Sequence, residues 1–196
     1  MSERSALLVL GLGNVLLGDD GVGVMALGQV AHDYSVPNGV SLHDGGTLGL
    51  SLLPLLTAAE RVILVDAVSA DAPAGSLVRL EGDAVGHALL HRLSPHQVGV
   101  ADLFDAARLL DAFPETLVLV GVVPERIELE VGLSPSVARS LSALTQQVVE
   151  EAARLGYVFV AKPGFVSEES HVPQSSPRSE VPLERSYFDV ARLAAL

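Results

Sequence analysis

Residues 6–23 read ALLVLGLGNVLLGDDGVG. An apolar run passes into a glycine-rich turn and then into a helical pattern, and that strand–turn–helix order decides for an α/β fold. Such a turn commonly cradles phosphate, because its N–H groups and the helix N-terminus attract negative charge. Here Asp19 and Asp20 stand where the anion would sit.

Working outward, short apolar runs alternate with helical patterns. Ser5 to Leu10, Gly39 to His43, Arg61 to Val65 and Thr116 to Val122 read as strands buried on both faces, with Ser76 to Leu80 a weaker one. Helices are expected over Gly21 to Tyr34, Leu48 to Ala59, Asp83 to Leu93, Gly99 to Phe113 and Pro135 to Leu155. The last has Ser134 as N-cap, Pro135 at its first position, Gly156 beyond its end and one apolar stripe from Val137 to Leu155. The expected fold class is therefore α/β, a three-layer, mostly parallel twisted sheet with helices on both faces. Ligands of such sheets gather outside the carboxyl ends of the strands. Residues 1–160 are expected to form the domain, and 161–196, rich in Ser, Pro and Glu, a flexible tail.

Composition narrows the function. Of the 196 residues, 49% are hydrophobic and 18% charged, enough apolar surface for a core without staples. Cysteine is absent, which removes disulfides, thiolate metal sites and a thiol nucleophile together. A formal net charge of -12 with no basic cluster argues against nucleic acid as a partner. No apolar stretch reaches the ~18 residues of a membrane span, and the N-terminus has no signal-peptide pattern, so no membrane partner and a cytoplasmic location are expected.

The polar residues that fall at strand ends are few. Asp20 follows the first strand, Asp66 closes RVILVD, His96 lies in RLSPHQVG just before a helix, and Asp44 opens DGGTLG after the second strand. Two carboxylates and an imidazole suit a divalent metal held by oxygen and nitrogen, with positions left for water or substrate. Blander readings stand beside this one. An acid at a helix start also answers the helix dipole, and a lone histidine is commonly a surface or loop-bonding residue. Asp19 and Asp20 alternate in direction, so one can face a metal while the other caps the helix beginning at Gly21. A nucleotide-binding reading of GLGNVLLG is opposed by Leu16 at the third glycine position and by the two acids, which would repel a pyrophosphate.

Taken in order, GLGNVLLGDDGVG, DGGTLG, ILVDAV, SPHQVG and GVVPE followed by GLSP resemble the maturation endopeptidases of nickel-iron hydrogenases. The resemblance spans about Leu7 to Val160. It implies an enzyme that clips the C-terminal extension from the hydrogenase large-subunit precursor after nickel insertion. The family's metal-binding acid falls on Asp20, its strand-end aspartate on Asp66 and its loop histidine on His96. By position, Asp44, Gly45, Gly46 and Thr47 line the groove for the substrate tail. Nickel would arrive with the precursor, and another divalent metal would be able to substitute for it. Three mechanisms stay open: nickel as a docking licence, a metal that polarises the peptide carbonyl, or Asp20 and Asp66 as an aspartic-type acid and base. A non-cleaving chaperone for the large subunit is the alternative from a different class. Two departures mark the chain: aspartate at position 20, where many members carry glutamate, and Val123 where glutamine is usual.

Overall fold

The computed structural model describes residues 5–90 and 95–163, with the side chains of residues 5, 89–90 and 95–98 left out of the description. Four parallel strands and one antiparallel strand form the main sheet. They are β1 (Ser5–Leu12), β3 (Val40–Gly46), β4 (Ala59–Ala67), β6 (Thr116–Val122) and the antiparallel β5 (Leu77–Glu81), in the order β3-β1-β4-β6-β5. The mostly parallel sheet expected from the sequence is thus present.

Helices cover both faces. α1 (Val22–Asp33) and α5 (Pro135–Arg154) lie on one side. On the other lie α2 (Leu53–Thr57), α3 (Asp83–Leu90) and α4 (Pro95–Leu109). Strand alternation sorts the core by shape. Val9, Ile63, Val65, Val118 and Val120 meet α1 and α5. Leu8, Leu10, Leu64, Leu117 and Leu119 meet Phe104 and Leu103 of α4 across the opposite face. Full burial of each such side chain is worth about 1.5–3 kcal/mol, which is why the central strands, past their first residues, carry no polar side chain until their carboxyl ends.

α5 starts and stops as its caps dictate. The Ser134 hydroxyl accepts the Val137 N–H at 3.4 Å, Pro135 opens the helix, and Gly156 leaves it at φ 96°. Other boundaries move. The helix expected over Leu48 to Ala59 is a 3-10 turn, Gly49–Leu52, running into the short α2. α4 begins at Pro95 rather than Gly99, because proline suits the first helical position. It ends at Leu109 rather than Phe113, because Asp111 adopts a left-handed φ of 52° and folds Phe113 back on Phe104, ring edge to face at 5.5 Å. His96 therefore lies in the first turn of α4, not in a loop before it.

A small second sheet has no strong sequence signal: β2 (Tyr34–Ser35) pairs antiparallel with β7 (Val160–Ala161). Phe159 packs edge to face on Tyr34, and Lys162 donates its N–H to Asp33 O at 2.8 Å and its Nζ to Ala31 O at 2.7 Å. Ala161 and Lys162, the first residues of the tail expected over 161–196, are thus engaged with the end of α1; residues 164–196 lie outside the described residues. No helix among the described residues is long and apolar enough to cross a membrane.

The edge strand β5 is fastened by charge. The Arg79 guanidinium grips buried Glu151 of α5 with Nε to Oε2 at 2.8 Å and Nη2 to Oε1 at 2.7 Å, and Arg154 adds a third contact at 2.8 Å. Hydrogen bonds from Arg79 outweigh burial and hold the Glu151 carboxyl below its ordinary range. A folded-state value below the unfolded one contributes stability that is full above the ordinary glutamate range and fades as pH falls through the lowered value. Glu151→Gln should lower stability at pH 7 by about 2 kcal/mol, read by urea unfolding. Its stability curve should also be flatter than that of the parent at pH values below the glutamate range.

Candidate active site

The turn after β1 is built on its own main chain. Gly13, at φ 113°, lies so close to the carbonyl of Asp20 that a Cβ there would sit 1.7 Å from the oxygen, so the turn doubles back tightly. Its amides are spent internally. Gly13 N–H goes to Gly46 O, Asn14 N–H to Asp20 Oδ2 at 2.8 Å, and Leu16 N–H to Asn14 Oδ1. Leu17 N–H goes to Asn14 O, Gly18 N–H to Glu130 O, and Asp20 N–H to Leu17 O. These donors face inward, so the turn does not present them to a phosphate as a nucleotide loop would.

The two aspartates divide their roles. Both are fully buried within the 3-10 turn Gly18–Gly21. Asp19 Oδ2 accepts the N–H groups of Glu125 at 2.9 Å and Arg126 at 3.2 Å, and Oδ1 accepts Ser134 N–H at 2.7 Å. Hydrogen bonds to a charged group contribute about 1.5–3 kcal/mol each, which offsets a desolvation cost of several kcal/mol. Asp19 thereby fastens the β1 turn to the 124–134 loop and to the residue that caps α5. It does not cap α1, as one of the pair was expected to. That helix starts at Val22 with Gly21 as N-cap and no side-chain cap bond. Asp20 takes a different partner, its Oδ2 accepting the Asn14 N–H within the turn itself.

Asp66 stands at the carboxyl end of β4, fully buried, its Oδ1 accepting the Ala67 N–H at 2.8 Å. It faces Gly121 in the β6 register, where a Cβ would come within 2.7 Å of Asp66 O. The first turn of α1 rests on the same strand end. At Gly23 a Cβ would lie 2.0 Å from Val65 O and 2.5 Å from Leu12 O. The turn that carries Asp20 therefore adjoins the strand end that carries Asp66. This is also the place where the chain leaves β1 for α1 and β3 on one side of the sheet, while β4 lies on the other, the switch point at which α/β sheets bind ligands.

The head of α4, whose first turn contains His96, is held against the β3 exit by main-chain contact. Gly99, one turn further along α4, touches Gly49, with a built Cβ only 3.0 Å from the Gly49 Cα. Gly49 follows the exit of β3, which Gly46 O ties to Gly13 N–H at 3.0 Å. The His96 side chain itself lies outside the described residues. Among the described residues no group of three His, Cys, Asp or Glu side chains is arranged to hold a metal. Asp44 lies inside β3, opposite Gly11, and is exposed, as is Thr47. Gly45 is buried against Leu10 and Leu12, where a Cβ would come within 2.8 Å of Leu10 Cδ1, and Gly46 takes a left-handed φ of 43°. A cavity of about 350 Å3 between α3 and α4, lined by Asp83, His87, Asp105 and Arg108 among others, includes none of these candidates.

Sequence reasoning did not find the part played by the 124–134 loop. The available signal was the pair of motifs GVVPE and GLSP themselves, which contain Glu125 and Ser134, two of the three residues whose amides Asp19 collects.

A family model described as hydrogenase maturation protease, HycI, matches residues 25–151. The chain is 37% identical over 145 residues to the hydrogenase 2 maturation protease of Escherichia coli strain K12, covering 73% of this chain and 88% of that one. It is 37% identical over 164 residues to the hydrogenase expression/formation protein HupD of Rhodobacter capsulatus, covering 83% and 78%. Among solved structures, the hydrogenase maturating endopeptidase HybD from E. coli superposes with a TM-score of 0.76 at 35% identity, covering 80% of this chain and 98% of that one. The NiFe hydrogenase maturation protease HybD from Thermococcus kodakarensis gives 0.61 at 25% identity, covering 75% and 99%.

Two substitutions test the construction of the rim. Asp19→Asn exchanges one acceptor oxygen for a donor group facing a buried N–H, and should cost about 2 kcal/mol in denaturant unfolding. Gly23→Ala should cost about 3 kcal/mol, because the methyl group would overlap two carbonyl oxygens and α1 would have to lift.

Proposed function

The chain belongs to the hydrogenase maturation protease family, and from that premise we propose that it is the endopeptidase that removes the C-terminal extension of a nickel-iron hydrogenase large-subunit precursor once nickel is in place. The observation that carries the reading is the burial of Asp20, on the turn after β1, and Asp66, on the adjoining end of β4, at the sheet's switch point. Burying a carboxylate costs free energy, and a pair of them beside a ligand-binding switch point is a candidate for chemistry. His96, in the first turn of α4, is assigned as the third group.

Nickel enters as part of the substrate. Two carboxylates and an imidazole are a donor set suited to an ion of that class, so Asp20, Asp66 and His96 would recognise the precursor through the nickel it carries. Bound there, the ion supplies charge that neutralises the two buried acids. The chain's own groups do the rest. With no cysteine and no G-x-S-x-G serine elbow in the sequence, water is taken as the attacking group. One aspartate takes the water proton and returns that proton to the leaving amide nitrogen as the peptide bond breaks. Asp19 keeps Asp20 in position, and the exposed Asp44 and Thr47 line the path of the extended tail beside β3.

The test is direct: purified chain is mixed with precursor, and the mass of the large subunit is followed. Nickel-loaded precursor should lose its extension, and precursor stripped of nickel should remain whole. A chaperone would bind without any mass change. His96→Ala, Asp66→Ala and Asp20→Asn should each lower the processing rate at least ~100-fold, and His96→Ala should leave the melting temperature nearly unchanged. Cleavage at the parent rate by any of the three would remove that residue from the site.

A further inference from the structure

The segment before Asp19 and the 124–134 loop form one strap across the rim. Glu130 N–H donates to Leu16 O at 3.1 Å, and Gly18 N–H donates to Glu130 O at 2.8 Å, so residues 16–18 run beside Glu130 as a short parallel bridge. Asp19 pins both ends of the same loop through Glu125, Arg126 and Ser134. A segment tied down this firmly would be expected to bury its apolar residues. Instead Leu129 and Val131, on either side of Glu130, are 86% and 81% exposed, and Leu16 across the bridge is 54% exposed.

Single exposed leucines are ordinary on protein surfaces. An apolar group on a rigid segment is different: the entropy of ordering has been spent, yet the chain itself gains little burial from it. The rim of the patch is acidic. Residues 125–130 contain Glu125, Glu128 and Glu130 against Arg126, one positive and three negative, a formal charge of -2. Arg126 is already engaged, with Nε 3.2 Å from Glu128 and Nη2 2.8 Å from Glu130.

We infer that this strap, Leu16 with Leu129 and Val131, is a docking surface for the body of the large-subunit precursor, and that it fits a face with apolar side chains framed by Lys or Arg. The inference rests on the function proposed above. Charge chooses the occupant. A second copy would press one acidic rim against another within a chain of net charge -12, whereas a basic-rimmed partner gains attraction at every edge. Position gives the contact its use. The strap is hydrogen-bonded to the turn that holds Asp20, so a body seated on it would be fixed at a set distance from the reacting acid while its tail enters the site. Contacts made outside the site would then govern how tightly precursor is held rather than how fast its bond is cut.

Isothermal titration of full-length chain with nickel-loaded large-subunit precursor tests this. Leu129→Ser with Val131→Ser should raise Kd at least ~10-fold, and Leu129→Ser alone should give part of the effect. Both positions are exposed, so melting should stay cooperative and close to the parent. Leu110→Ser, an exposed leucine just past the far end of α4, should leave Kd unchanged. In processing assays the double variant should raise KM with kcat within about twofold. A Kd within twofold of the parent, no measurable binding by the parent, or a parent dimer that the double variant dissolves in sedimentation would each overturn the inference. A parent that binds precursor through the strap but never cuts it would overturn the proposed function alone. A parent that cuts, with KM untouched in the double variant, would overturn the docking surface alone.

Discussion

The rim depends on a single buried carboxylate surrounded by main chain. Asp19 has no access to water, and three amide donors from a segment more than a hundred residues away satisfy it. An ionised group in that position is tolerable only while every one of those donors stays in place. The constraint works in both directions. The acid needs the loop, and the loop, lacking regular structure, takes its shape from the acid. Through Ser134 the same contact reaches the start of α5, and through its neighbour Asp20 it reaches the candidate catalytic groups. Order at the mouth of the sheet is thus set by electrostatics with fixed geometry, while the layers below are set by shape.

This settles what a glycine-rich strand-to-helix turn is for when it carries its own anions. In a phosphate loop, amides point outward and wait for a guest. In this turn they are already engaged, to Asn14, to Leu17, to Gly46 and to the distant Glu130. The negative charge that a nucleotide would bring is supplied by the protein, at Asp19 as a structural fastening and at Asp20 as the acid to which the proposed function assigns chemistry. Two adjacent identical residues find different partners because successive side chains leave the backbone in different directions.

The sheet was readable because its strands are buried on both faces, so apolarity runs unbroken to the point where Asp66 appears. α5 was readable because its caps and stripe are local. The Ser-Pro pair that marks its start occurs again at residues 94–95, and applying the same rule there would have placed His96 within a helix. The β2–β7 pair escaped because two-residue strands have no period, and their partner lies far along the chain. The fate of Asp19 escaped for a related reason. Its partners are backbone amides, which every residue possesses, so no residue type in 125–134 records that it has been chosen. Family resemblance pointed to Asp20, Asp66 and His96; the coordinates add that the first two stand on touching segments and that the helix bearing the third is drawn to the same edge.

The meeting of Gly49 with Gly99 has a further meaning. A 3-10 turn and a helix remote in sequence are spaced there by bare carbon against bare carbon, a joint with no rotamer to turn, no proton to lose and no ion to screen. The gauge between the β3 exit and the head of α4 is therefore insensitive to salt and acidity, conditions that alter every charged fastening nearby. What it gives up is adjustability: either glycine, once replaced, would have to push a whole helix aside.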